Sequence, residues 1–144
     1  MRRVILDTNI LLVPGQCKVD IFSELDRLLD EPYEIVILKG TMDELKKIID
    51  GKTGATGADK QTAKLGQLLI KHIEERSAAA STKSQCKALK IIQGSKNKYV
   101  DDAILEIAED DAFVATNDSA LKRRLLEKGC RVIYLQQQHL AISA

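Results

Sequence analysis

A chain of 144 residues with 44% hydrophobic and 30% charged side chains has the make-up of an ordinary globular protein, and one domain over 1–144 is the simplest expectation. Aromatics make up 3% and Trp is absent, which argues against nucleic-acid binding by stacking bases on aromatic platforms. The formal net charge is +1, but from Lys60 to Lys98 nine Lys or Arg face two acids, whereas Tyr99 to Ala120 carries seven acids and no Lys or Arg. Such blocks fit either an acidic site beside a basic surface or solvated helix faces.

Cys17, Cys86 and Cys130 are odd in number and form no C-x-x-C pair. With no secretory leader at the start, they point to reduced thiols and a cytoplasmic location. His72 and His139 lie far apart, without the spacing of a structural zinc site.

In chain order, Arg2 to Leu6 reads as a buried strand ending on Asp7-Thr8-Asn9, and Pro14-Gly15 reads as a break. Val19 to Leu29 has helical spacing, and Tyr33 to Leu38 is a β-branched, mostly apolar strand. Thr41 with Glu44 fits a capping box, so a helix is expected to begin there. A flexible glycine-rich loop at 51–57 follows; its Gly-Lys-Thr lacks the upstream glycine that a phosphate-binding loop needs. A long helix is expected from about Ala58 to Arg76, with Leu65, Leu68, Leu69 and Ile73 on one face. A loop at 77–84, a strand at Ala88 to Gln93, a helix at Tyr99 to Glu109 and a strand at Ala112 to Thr116 come next. Ser119 to Lys128 reads as a helix, Arg131 to Leu135 as a last strand, and 136–144 as a short tail without strong signal. Strands alternating with helices predict a three-layer α/β/α sandwich around a mainly parallel sheet.

Ligands of such sheets bind at the carboxyl ends of the strands, and four acids are delivered there. Each has a structural alternative. Asp7 can cap the turn after its strand, Glu44 can complete the capping box, and Asp118 can serve as the N-cap of the next helix. Asp101 and Asp102 are separated by helical geometry. At about 100° per residue, Asp101 falls on the margin of the apolar face, while Asp102 falls with Glu106 and Glu109 on the wet one. An acid directed inward is costly unless it is paired or binds a metal. Four converging carboxylates repel each other, and a hard divalent cation relieves this. Oxygen-only ligands suit Mg²⁺ or Mn²⁺, which points to phosphodiester hydrolysis.

Val4 to Ile10, Glu44 in Met-Asp-Glu-Leu, Asp101 in Asp-Asp-Ala-Ile-Leu-Glu-Ile-Ala, and Thr116-Asn-Asp118-Ser-Ala-Leu resemble the successive acidic motifs of PIN-domain ribonucleases. The likeness spans nearly the whole chain. It implies a PIN-like sheet, a site of one or two Mg²⁺ or Mn²⁺ ions held by Asp7, Glu44, Asp101 and Asp118, endonucleolytic cleavage of RNA, and frequent homodimers. Leu121 to Arg124, Gly129 and Val132-Ile-Tyr look more like the archaeal and eukaryotic ribosome-biogenesis members, as does the Asp101-Asp102 doublet; toxin members of toxin–antitoxin pairs are the alternative. A ribosome-assembly factor or an antitoxin is the corresponding protein partner. Asn9, Asn117, Thr116 and Thr8 are expected to orient the acids or a water. Lys122, Arg123 and Arg124 either hold RNA phosphates or are solvated. The 51–57 loop with the basic helix behind it matches no family element. A silent RNA- or protein-binding fold of the same family is a rival reading. A receiver-like domain would need a Lys at the end of a later strand, and none is evident.

Overall fold

The structure, a computed structural model, describes residues 1–77, 84–95, 98–109 and 112–143. β1 (Arg2–Leu6) leads into α1 (Thr8–Cys17), α2 (Ile21–Leu28), β2 (Tyr33–Leu38), α3 (Lys39–Ile49), α4 (Gly57–Ser77) and β3 (Cys86–Ile92). Then come α5 (Val100–Ile107), β4 (Phe113–Ala115), α6 (Ser119–Lys128), β5 (Arg131–Gln136) and β6 (His139–Ser143). The strands form a six-stranded sheet in the order β3-β2-β1-β4-β5-β6, with every neighbouring pair parallel except β5 and β6. The expected mainly parallel α/β sandwich is therefore found.

Both faces of the sheet are covered, which is why β1 is apolar without alternation. Val4 and Leu6 join a core shared with α1, α2, α3 and α4, whereas Ile5 joins a second core with α5 and α6. The chain moves outward from β1 to β2 to β3, and α5 then carries it back to the other side of β1. The carboxyl ends of β1 and β4 thus flank the point where the direction of winding reverses, the place where such sheets bind ligands.

Three expectations are corrected. Pro14-Gly15 does not break the chain, because α1 runs through Pro14 to a left-handed cap at Lys18 (φ 56°). A Cβ on Gly15 would lie 2.8 Å from Thr62 Cγ2, so the glycine lets α1 press on α4, and that packing outweighs the local signal. The buried face of α4 is only partly the expected one: Leu68 is 64% exposed, whereas Ile73 is buried as expected, together with Ala63, Gly66 and Ile70. A Cβ on Gly66 would stand 2.8 Å from the Leu11 carbonyl oxygen, so small residues make this seam where hydrophobicity alone selects leucines. The tail 136–144 contains β6, whose Leu140 is held from outside the sheet. Its N–H donates to Glu24 Oε1 (3.0 Å), and its carbonyl accepts from Arg27 Nη2 (2.9 Å). Of the expected loop at 77–84, residues 78–83 lie outside the described ones. No described helix is long and apolar enough to cross a membrane.

Candidate active site

Asp7 follows β1 and is 7% exposed. It caps α1, its Oδ1 accepting from Thr8 N at 2.8 Å. Its Oδ2 accepts from the Thr116 hydroxyl at 2.7 Å and from Asn9 Nδ2 at 3.1 Å. Thr116, fully buried just past β4, also accepts from Asp118 N at 3.1 Å, so its own proton goes to Asp7. Burial pushes the Asp7 carboxyl up; the Thr116 and Thr8 bonds oppose this, and the charges of Asp118 and Asp101 add to it.

The capping box expected at Thr41 and Glu44 does not form. α3 begins at Lys39, directly after β2, with Leu38 as its N-cap and no side-chain bond there. Thr41 is fully buried, its hydroxyl without a hydrogen-bond partner among the described residues, and Glu44 is released to the site, where Oε2 accepts from the Thr8 hydroxyl at 2.7 Å. Burial raises the Glu44 carboxyl as well; the Thr8 bond and the charge of Lys47 oppose this, and Asp7 and then Asp101 reinforce it. Asp101 lies in the first turn of α5 and accepts from Asp102 N at 3.0 Å. Asp118 caps α6, its Oδ1 accepting from Ala120 N and Leu121 N.

The four acids therefore share one electrostatic neighbourhood, and none makes an ion pair among the described residues. As they stand, no three described His, Cys, Asp or Glu side chains are close enough to hold a metal ion. The donor set nevertheless fits a hard cation. Glu44 Oε1, Asp101 Oδ2 and Asp118 Oδ2 each carry no hydrogen bond among the described residues, and all are carboxylate oxygens.

The remaining candidates are placed as follows. Asn9 bridges to Asp7 and, at 3.4 Å, to Thr116. The Asn117 side chain turns away from the acids, its Oδ1 accepting from Leu135 N at 2.8 Å. Asp102 pairs with Arg124 Nη1 at 2.9 Å, joining α5 to α6. Lys122 stacks over the Tyr134 ring at 3.7 Å, and Arg123 is exposed without an ion pair among the described residues. The Tyr134 and Leu135 partners escape sequence reasoning because no local spacing encodes contacts across the sheet.

A family model described as PIN like domain matches residues 4–138. Ribonuclease VapC4 from Methanocaldococcus jannaschii is 29% identical over 140 residues, covering 96% of this chain and 93% of that protein. The solved structure of the PIN domain endonuclease Utp24 superposes with a TM-score of 0.67 at 21% identity, over 98% of this chain and 90% of that one. A domain of a functionally unknown protein from the same Methanocaldococcus gives 0.62 at 15% identity, over 94% and 92%. At those identities the two structures speak for the shared fold.

Proposed function

Because this chain belongs to the PIN-like domain family, we propose that it is a metal-dependent endoribonuclease whose site is built from Asp7, Glu44, Asp101 and Asp118. The observation that carries the reading is the pair of raised carboxyls. Asp7 and Glu44 are removed from water, the charge of Asp101 raises both, Asp118 adds to Asp7 and Asp7 adds to Glu44, and neither makes an ion pair with a Lys or Arg among the described residues. Such an arrangement lowers stability unless a cation joins it. The similarity to a protein named as a ribonuclease supports RNA as substrate.

Asp7, Glu44, Asp101 and Asp118 would hold Mg²⁺ or Mn²⁺. When bound, such an ion supplies charge that polarises a phosphoryl oxygen and favours ionisation of the attacking water. The chain's own part is positional. Thr116 and Asn9 fix one oxygen of Asp7, Thr8 fixes one oxygen of Glu44, and the α6 amides fix one of Asp118. Each bond opposes reorganisation of a carboxylate whose job is to stay ionised and in place. Arg123, exposed midway along α6, is suited to an RNA phosphate, with Lys122 and Arg124 beside it. Cys17, Cys86 and Cys130 form no disulfide among the described residues, which suits a reducing cytoplasm.

The finer reading is processing of ribosomal RNA. It rests on the resemblance of Leu121 to Arg124, Gly129 and Val132 to Tyr134. The test is cleavage of a precursor rRNA fragment with Mn²⁺ by parent, Asp7→Asn and Asp101→Asn proteins. The parent is expected to cut at defined positions, and both variants to bind RNA but not cut. Cleavage by either variant at the parental rate would remove that residue from the site. Growth arrest on induction of the parent but not of Asp7→Asn, without defined rRNA ends, would favour the toxin role.

A further inference from the structure

β4 stops at Ala115, yet its ladder with β5 continues for two more bonds. Thr116 N donates to Ile133 O at 2.9 Å, and then Leu135 N donates to the side-chain oxygen of Asn117 at 2.8 Å. A carboxamide oxygen thus stands where the next backbone carbonyl of a longer strand would be. The backbone of residue 117 faces the β1 side instead. Its N–H donates to Asn9 Oδ1 at 2.9 Å, and Asn9 Nδ2 donates to Asp7 Oδ2 at 3.1 Å. The same β5 residue, Leu135, pairs with Leu140 of β6, whose two backbone groups are gripped by Glu24 and Arg27 of α2. An unbroken series of hydrogen bonds and ladder pairs therefore runs from α2 through the carboxyl-terminal hairpin to the first acid of the site.

We infer that Asn117 is a positioning residue for Asp7: its side chain, holding Leu135 N–H, fixes the backbone of residue 117, whose N–H orients Asn9, and Asn9 sets the Asp7 carboxylate. The inference rests on the ribonuclease reading for its kinetic consequence but not for its wiring. It also departs from the expectation that Asn117 faces the acids or a water. Among the described residues Asn117 makes no hydrogen bond to the four acids; it acts through Asn9. The hairpin is then part of the catalytic frame, and its place against α2 sets where Asp7 points.

The test is a double-mutant cycle of Asn117→Ala and Asn9→Ala, read in two ways. In RNA cleavage with Mn²⁺, each single variant is expected to lose about tenfold in kcat, the scale of one hydrogen bond to a charged group, with KM little changed. The double variant is expected to be no slower than Asn9→Ala, because the two act in series. Without substrate, the Asp7 carboxyl carbon resonance is expected to move alike in both singles and no further in the double. Amide exchange at Leu135 is expected to accelerate in Asn117→Ala and not in Asn9→Ala. Asn117→Asp, which keeps an acceptor for Leu135 N–H, is expected to restore that protection. Independent, multiplicative losses in the double variant would overturn the inference. So would an Asn117→Ala protein that exposes Leu135 but leaves the Asp7 resonance and kcat at parental values. If the parent cuts no RNA, the function proposed above fails, and the Asp7 resonance still decides the wiring.

Discussion

Replacing Thr116 by Val removes a hydroxyl while nearly preserving shape, so it isolates the bond that most strongly opposes the rise in the Asp7 carboxyl. Thr116 is fully buried, and its hydroxyl lies 2.7 Å from Asp7 Oδ2 and 3.1 Å from Asp118 N. Because Val fills the same volume, no cavity term enters. A hydrogen bond to a charged group contributes roughly 1.5–3 kcal/mol. Asn9 still serves Asp7 while Asp118 N loses its acceptor, so about 2 kcal/mol is expected, or roughly 6 °C in melting temperature for a chain of this size. The sign with pH follows from the raised Asp7 carboxyl. An ionised Asp7 lowers stability, and that cost is absent below the unfolded-state pKa of about 3.9 and complete above the higher folded-state value. Thr116 offsets part of the cost, so the Thr116→Val deficit is largest at neutral pH and shrinks as acid protonates Asp7. Calorimetric melts of the metal-free protein between about pH 7.5 and pH 4 measure both. A variant melting within about 1 °C of the parent at neutral pH, or a deficit that grows on acidification, would refute the account of Asp7.

Gly66→Ala places a Cβ about 2.8 Å from the Leu11 carbonyl, forcing α4 off α1; a loss of about 1–3 kcal/mol in denaturant unfolding is expected. Glu24→Gln weakens the grip on Leu140. Its bond to Arg27 holds the Glu24 carboxyl down to about 2, so the stability it gives is present above about pH 4.3 and lost as pH falls towards 2. The variant should melt lower at neutral pH, by about 1 kcal/mol once solvent screening is allowed for, with no difference near the acid end. Saturating Mn²⁺ at about a hundredfold excess over its dissociation constant should stabilise the parent by about 2.7 kcal/mol. Asp101→Asn should lose most of that gain, and an equal gain in the variant would exclude Asp101 as a ligand.

The strands that bring Asp7 and Asp118 to one rim were readable because burial on both faces writes itself as continuous apolar runs, Val4-Ile5-Leu6 and Phe113-Val114-Ala115. Asp101 was likewise separable from Asp102 by its angle on α5, and the structure pairs Asp102 with Arg124 instead. What escaped was set by distant partners. The Thr41 to Glu44 spacing was a local fit to a cap, but β2 passes into α3 without a turn, so the helix starts earlier and Glu44 reaches Thr8. β6 had no strong pattern of its own because β5 and the two side chains of α2 hold it. The seam between α1 and α4 is made of Gly15 and Gly66, residues that a search for apolar stripes passes over.

The position of β1 between β2 and β4 has a consequence for synthesis. A growing chain that has made β1, β2 and β3 holds Asp7 and Glu44, but one edge of its innermost strand stays unpaired until residues 113–115 follow. Asp118 and the Thr116 bond to Asp7 arrive in that same stretch, 109 residues after the first acid for Thr116. The last of the four acids therefore arrives with the same insertion that covers the open edge of β1, and a fragment still attached to its ribosome is exposed to edge pairing before it holds all four acids. Co-translational timing, as much as chemistry, thus determines when the finished site exists.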